Sequence, residues 1–236
     1  MGRVFEKRKH KMFARYDKMA KAFTRIGKDI AIAVKQGGPD PDGNPRLRAA
    51  MQNAKSVNMP KDRVEGAIKR ASSKEEAGLE EFVYEGYGPS GVAIVVECAS
   101  DNPTRTVANI RMHFNRCNGT LGKTGSLDFL FERKGVFRIT KSDKINPDDL
   151  ELELIDFGLD KMEVEENEII IYTSFTDFGK MQKALEERGI AVAKTSLERI
   201  PTSFAEVSDV QMDEVLDLIE RFEEDDDVQA VFHNLK

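Results

Sequence analysis

The period of the apolar residues changes once along the chain, near residue 80, and this limits the fold to a helical part followed by a mixed one. Between Met12 and Val34 the residues Met12, Tyr16, Met19, Phe23, Ile26, Ile30 and Val34 recur at steps of four or three, the spacing of one face of a long helix. Gly37-Gly38-Pro39 ends that helix, and Asp40-Pro41-Asp42-Gly43 reads as a turn. Asn44 caps and Pro45 opens a second helix, which turns Leu47, Ala50, Met51, Ala54 and Val57 inward. Pro60 opens a third, with Val64, Ala67, Ile68 and Ala71 on its inner side.

Beyond residue 80 strands and helices alternate. Two β-rich runs, 82–87 and 91–98, are joined by a Gly/Pro turn into a hairpin. Asn102-Pro103 then starts a helix whose Val107, Ile110, Phe114 and Cys117 face inward. Strands are expected at 127–131 and 136–140, a short helix at 147–155, strands at 162–165 and 168–173, a helix at 175–187 and a strand at 191–200. From Val136 the order is β-α-β-β-α-β, the ferredoxin-like pattern. A last helix, 212–222, and a last strand, 228–233, have no place in that unit and complete the earlier one. The expected fold is therefore α+β, an N-terminal three-helix domain followed by two ferredoxin-like α/β domains, the third inserted into the second. The helical domain covers 1–78, the discontinuous domain 79–133 plus 205–236, and the inserted domain 134–204.

Charge divides along the same boundary. Residues 1–74 hold 19 Lys+Arg against 7 Asp+Glu, while residues 75–236 hold 17 against 35, so a net charge of −6 conceals a basic segment of +12 and an acidic remainder of −18. A basic segment gains by displacing counterions from a polyanion, which the acidic remainder repels. On the long helix Lys7, Lys11, Lys18, Lys21, Arg25 and Lys28 repeat with the same steps as the apolar stripe, on the opposite side. A three-helix unit with a solvated lysine-rich surface explains the stripe equally well. A helix-turn-helix reader is disfavoured, because the joint Asn58-Met59-Pro60 has no glycine and no helix carries a compact Arg/Asn/Gln set for base edges. Phosphate contact is the form of the expectation that remains.

Two glycine motifs are misleading. Gly86-Tyr87-Gly88-Pro89-Ser90-Gly91 spells G-x-G-x-x-G but precedes a strand, so no helix N-terminus is available for a phosphate and a hairpin turn is expected. Gly119-Thr120-Leu121-Gly122-Lys123-Thr124 resembles the end of a Walker A loop, yet Cys117 stands at the first glycine position. What remains is a cationic loop, Asn118 to Gly125, able to lay backbone N–H groups against a phosphate. Arg105, Asn109 and Arg116 share the face of the preceding helix away from its core and, with Lys123, make a second candidate surface. Glu223-Glu224-Asp225-Asp226-Asp227 places five acids at a helix C-terminus, where the helix dipole disfavours them. A structural turn is the leading reading of that run, and a basic protein partner or a weak divalent cation the minority one.

Several separate motifs, in order, resemble the YebC family. They are Gly37-Gly38-Pro39-Asp40-Pro41 with Asn44-Pro45-Arg46-Leu47-Arg48, then Ala54-Lys55 and Asn58-Met59-Pro60-Lys61-Asp62. Tyr84-Glu85-Gly86-Tyr87-Gly88-Pro89 with Gly91-Val92-Ala93 follows, then Asp101-Asn102 with Arg105-Thr106, and the likeness ends at Glu224-Asp225-Asp226-Asp227-Val228-Gln229 with His233-Asn234. The likeness spans essentially the whole chain and implies the same discontinuous layout. It departs at the start, where the family's Trp-containing patch is replaced by Arg3-Val4-Phe5-Glu6 and Phe5 is the nearest aromatic residue. Family members are described as DNA-binding transcriptional regulators, and others look like translation factors that relieve ribosome stalling, notably at proline runs.

The resulting expectation is a cytoplasmic, nucleic-acid-binding regulator of gene expression of the YebC type, with DNA-binding transcriptional regulation first and a ribosome-associated translation role, through ribosomal or transfer RNA, as the alternative. The expected contact residues are Arg3, Lys7, Lys9, Lys11, Lys18, Lys21, Arg25, Lys28, Arg46, Arg48, Lys61, Arg105, Arg116 and Lys123. No catalytic residue, metal or cofactor is expected: His10, His113 and His233 fall in different domains without a neighbouring nucleophile, and Cys98 and Cys117 lack metal-ligand spacing. The longest apolar run, 92–96, is far short of the roughly 20 residues a membrane-spanning helix needs, and the N-terminus does not read as a secretory signal.

Overall fold

The computed structural model describes residues 3–73, 78–142 and 145–236, with side chains from Met19 onward. The chain divides into two compact units, 1–76 and 77–236. The first holds α1 (Arg3–Gly37), α2 (Pro45–Ser56) and α3 (Lys61–Ser72). Asn44 joins α1 to α2 and is itself buried. Its Oδ1 accepts from the Leu47 N–H at 3.1 Å, the expected cap, while its Nδ2 donates to the Ala33 carbonyl at 2.7 Å and the Gly38 carbonyl at 2.9 Å. One side chain thus satisfies carbonyls that the end of α1 leaves open and an N–H at the start of α2. At the second joint Asn58 takes a positive φ of 56°, the conformation a glycine would supply, and Asn tolerates it. The core consists of Ile26, Ile30, Ala33 and Val34 from α1, Leu47, Ala50 and Ala54 from α2, and Val64, Ala67 and Ala71 from α3.

The second unit is built on two four-stranded sheets. It runs β1 (Glu80–Tyr87), β2 (Ala93–Ser100), α4 (Pro103–Arg116), β3 (Thr120–Leu121), β4 (Phe131–Thr140), α5 (Pro147–Leu154), β5 (Leu159–Val164), β6 (Glu168–Ser174), α6 (Phe178–Glu187), β7 (Val192–Pro201), α7 (Asp209–Glu224) and β8 (Val228–His233). The first sheet has the order β3-β1-β2-β8 and the second β5-β6-β4-β7, with every pairing antiparallel. β8 pairs with β2, Ile94 opposite His233 and Val96 opposite Val231, so the last strand of the chain lies beside one of the first strands of this unit. In the second sheet β4 to β7 follow the β-α-β-β-α-β order.

The first sheet is packed on both faces, which explains why β2 is apolar at nearly every position. One face carries Val92, Ile94, Val96 and Cys98 against Ile110 and Phe114 of α4 and Val215, Leu218 and Phe222 of α7. The Phe114 and Phe222 rings meet edge to face at 4.9 Å. The other face carries Ala93 and Val95 against Leu127 and Phe131. Gly86 of β1 has to be glycine for packing, since a Cβ there would lie 2.5 Å from the Thr120 carbonyl oxygen and 2.8 Å from the Phe114 ring. The G-x-G-x-x-G stretch is a hairpin turn, with positive φ at Ser90 and Gly91. Between the sheets Arg199 Nε of β7 donates to Glu97 Oε1 of β2 at 2.8 Å.

The strand expected at 127–131 is not a strand. Residues 128–130 form a 3-10 turn, and the edge strand of the first sheet is instead Thr120–Leu121, within the glycine-rich loop. Leu127 and Phe131 are apolar because both plug the underside of the first sheet, not because they alternate along an extended run. β4 accordingly begins at Phe131, earlier than the expected 136.

Candidate nucleic-acid interface

Among the residues of the first unit whose side chains are described, the apolar ones of the three helices from Ile26 onward turn toward one another, and several cations lie outside. Lys21, Lys35, Lys55, Lys61, Arg63, Lys69 and Arg70 are exposed, while Arg25 and Lys28 are half-buried along α1. Lys61 lies 3.3 Å from Glu65, one turn on, in a solvent-exposed pair worth little to stability. The two arginines of α2 have other tasks. Arg48 Nη1 donates to the Pro41 and Asp42 carbonyls at 2.7 and 2.8 Å, and Arg46 Nη1 donates to Gln36 Oε1 at 2.9 Å. Both fasten the α1–α2 connection. The side chains of Arg3, Lys7, Lys9, Lys11 and Lys18 lie outside the described residues.

The second candidate surface is divided. Arg105 does not stand free on α4: its Nε and Nη2 donate to Asp227 at 3.0–3.3 Å, and Nη2 also reaches Asp101 Oδ1 at 3.2 Å. Hydrogen bonding to Asp227, reinforced by its charge, holds Arg105 above its ordinary pKa. The Asp227 carboxylate is 7% exposed and also accepts from Thr106 Oγ1 at 2.9 Å and Ser100 Oγ at 3.2 Å. Asn109 Nδ2 donates to Asp225 Oδ2 at 3.3 Å, and His113 Nε2 lies at the same distance from that atom. Two acids of the run 223–227 therefore anchor the turn between α7 and β8 to α4 from its first turn to its last, which offsets the unfavourable helix dipole. Among the described residues no group of His, Cys, Asp and Glu has the arrangement of a metal site. Arg116 and Lys123 are exposed.

Backbone N–H groups of the glycine-rich loop and of the residues just after it are occupied by the chain itself. Gly119 N donates to the Phe114 carbonyl at 2.8 Å and Gly122 N to the Glu85 carbonyl at 2.7 Å. Gly125 N and Leu127 N donate to the two carboxylate oxygens of Glu85 at 2.9 and 2.7 Å, and Ser126 Oγ lies 3.5 Å away. Glu85, 3% exposed on β1, occupies the place that a phosphate would take in an anion-binding loop. The loop is thus shaped by an internal anion, and Lys123 and Thr124 are left at its exposed tip. Glu85 and Asp227 escape a reading of the sequence because their partners stand about 40 and 120 residues away. Cys117 is a core group, its thiol pKa pushed up by burial and then by its hydrogen bond to Asp217.

Comparison with known proteins extends the picture over the whole chain. Residues 3–74 match the model of the TACO1/YebC protein N-terminal domain, and residues 79–235 that of the TACO1/YebC second and third domain. A "Probable transcriptional regulatory protein" of Cytophaga hutchinsonii is 58% identical over all of this chain and 98% of its own length. Proteins of the same description from Flavobacterium johnsoniae and Myxococcus xanthus are 54% and 52% identical, covering all of this chain and 99% and 100% of their own. The crystal structure of a conserved hypothetical protein from Aquifex aeolicus superposes with a TM-score of 0.82 at 34% identity, over 92% of this chain and 90% of that one.

Proposed function

The chain belongs to the TACO1/YebC family, and from that premise we propose that it is a nucleic-acid-binding regulator of gene expression, a cytoplasmic binding protein rather than an enzyme. The observation that carries this reading is the first unit, which has a net charge of +12 over residues 1–74 and whose described apolar residues Ile26 to Ala71 form a core of their own. Lys21, Arg25, Lys28 and Lys61 contact phosphates, and Arg3, Lys7, Lys9, Lys11 and Lys18 continue that stripe in the sequence. In the second unit Arg116 and Lys123 are separate phosphate contacts, while Arg46, Arg48 and Arg105 act by holding the fold.

The relatives' description favours transcription as the setting, which would make the partner DNA. One observation favours structured RNA and a translation role instead: the two arginines of α2 are bonded to the chain's own carbonyl and amide groups. A protein that holds phosphates and reads shape suits folded RNA. Ultraviolet crosslinking in growing cells, with sequencing of both attached RNA and DNA, separates the two. Ribosomal or transfer RNA assigns the protein to translation, and discrete promoter fragments assign it to transcription. The reversal Lys21→Glu, Arg25→Glu, Lys28→Glu is expected to weaken binding and lower the slope of log affinity against log salt by about 2–3. Unchanged binding by this variant overturns the phosphate contacts.

A further inference from the structure

We propose that Phe129 and Phe204, together with Lys123, form a stacking platform for the unpaired bases of a single-stranded nucleic acid, an inference that rests on the nucleic-acid reading above. The Phe129 side chain is 72% exposed and that of Phe204 59%. Burying either ring would be favourable, and both remain in water. Neither hangs on a slack segment. Leu127 and Phe131 on either side of Phe129 are buried, and the Leu127 N–H is held by Glu85. Next to Phe204, Thr202 N donates to the Leu130 carbonyl at 2.9 Å and Ala205 N to the Asn234 carbonyl at 2.7 Å. Thr202 Oγ1 also lies 3.5 Å from the Phe129 carbonyl oxygen, so the two ring-bearing segments run side by side where the chain crosses between the two sheets.

Lys123 stands at the exposed tip of the same loop, closed by Ser126 N donating to its carbonyl at 3.1 Å. Glu85 thereby acts as a positioning residue: a buried carboxylate bonded to two backbone N–H groups gives definite shape to a loop with a cation at its tip and an aromatic ring at its end. Exposed rings on a pinned backbone, in a connection that also carries a cation, fit bases and the phosphates that link them. Every base offers a flat face to an aromatic ring, and stacking needs no base-edge readers. In a duplex those faces are already stacked, so the occupant is single-stranded.

The test uses the full chain and two dye-labelled probes, a 12-residue adenylate RNA and a 12-base-pair RNA duplex, read by fluorescence anisotropy. Phe129→Leu with Phe204→Leu keeps apolar bulk and removes the flat ring, and because both sites are exposed the melting temperature is expected to hold. The double variant is expected to bind the single strand about tenfold more weakly and the duplex as before, and Phe129→Tyr with Phe204→Tyr to bind both like the wild type. If the Leu variant binds the single strand as the wild type does, or loses both probes equally, the platform is overturned and the nucleic-acid reading stands. If the wild type binds neither probe nor duplex DNA, both readings fall.

Discussion

Glu85 and Asp227 are both buried carboxylates, and they organise their surroundings in opposite ways. Asp227 gathers side chains: the Arg105 guanidinium and the Thr106 and Ser100 hydroxyls converge on it, and a cation that the sequence offers as a ligand contact becomes an internal strut. Glu85 gathers chiefly backbone, the N–H groups of Gly125 and Leu127, and Lys123 and Thr124 at the tip of the loop it shapes remain outside. The difference teaches that in a chain one-third charged an arginine on an outer helix face is no measure of what a ligand meets. Charge available to a partner is what remains after the fold has satisfied its own buried anions.

The contrast predicts a ranking of effects. Asp227→Ala leaves the hydroxyls and guanidinium without their common acceptor, and urea unfolding is expected to show a loss of about 3 kcal/mol. Glu85→Gln keeps the shape and one acceptor, so its expected cost is smaller, about 1–2 kcal/mol. Its signature is local, with faster hydrogen exchange at the Gly125 and Leu127 amides while those of β2 stay protected. A larger cost for Glu85→Gln than for Asp227→Ala would reverse the comparison.

A half-buried imidazole, His233, sharpens the comparison by having no countercharge bonded to it. His233 Nδ1 is buried without a hydrogen-bond partner, and desolvation lowers its pKa below the ordinary 6.5, with Glu223 pulling weakly the other way. The unfolded chain therefore binds this proton at a higher pH than the folded one. The stability that His233 contributes is whole above pH 6.5 and is lost as the pH falls through the lowered value. Melting temperature is expected to drop over that interval, and His233→Gln to flatten the drop. The smallest effect belongs to Arg116→Ala, an exposed site where stability should stay within about 0.5 kcal/mol. A loss comparable to that of Asp227→Ala would mean that Arg116 too is a strut.

What could be read from the sequence was local. Asn44-Pro45 and Asn102-Pro103 announce two helix starts, because a cap and the turn it caps lie within four residues, and both side chains accept the expected N–H. The α1 stripe is legible for the same reason, since its spacing is a property of one helix. The strand expected at 127–131 failed because Leu127 and Phe131 are apolar through contact with Ala93 and Val95, more than 30 residues earlier. The ion pair of Arg105 with Asp227 was illegible in the same way. The position of Arg105 on α4 is legible, but Asp227 meets it only once β8 lies beside β2.

That last pairing also orders events in time. The strands of the second sheet, Phe131 to Pro201, are contiguous in the chain and can close as soon as they are made. The first sheet has to wait, because about 130 residues separate the end of β2 from the start of β8. At 5–20 residues per second that interval is on the order of ten seconds. Throughout it one edge of β2 presents unpaired N–H and C=O groups on the most apolar strand of the molecule, an invitation to wrong pairing. The nascent chain is most exposed to aggregation in that window, and the final strand ends it.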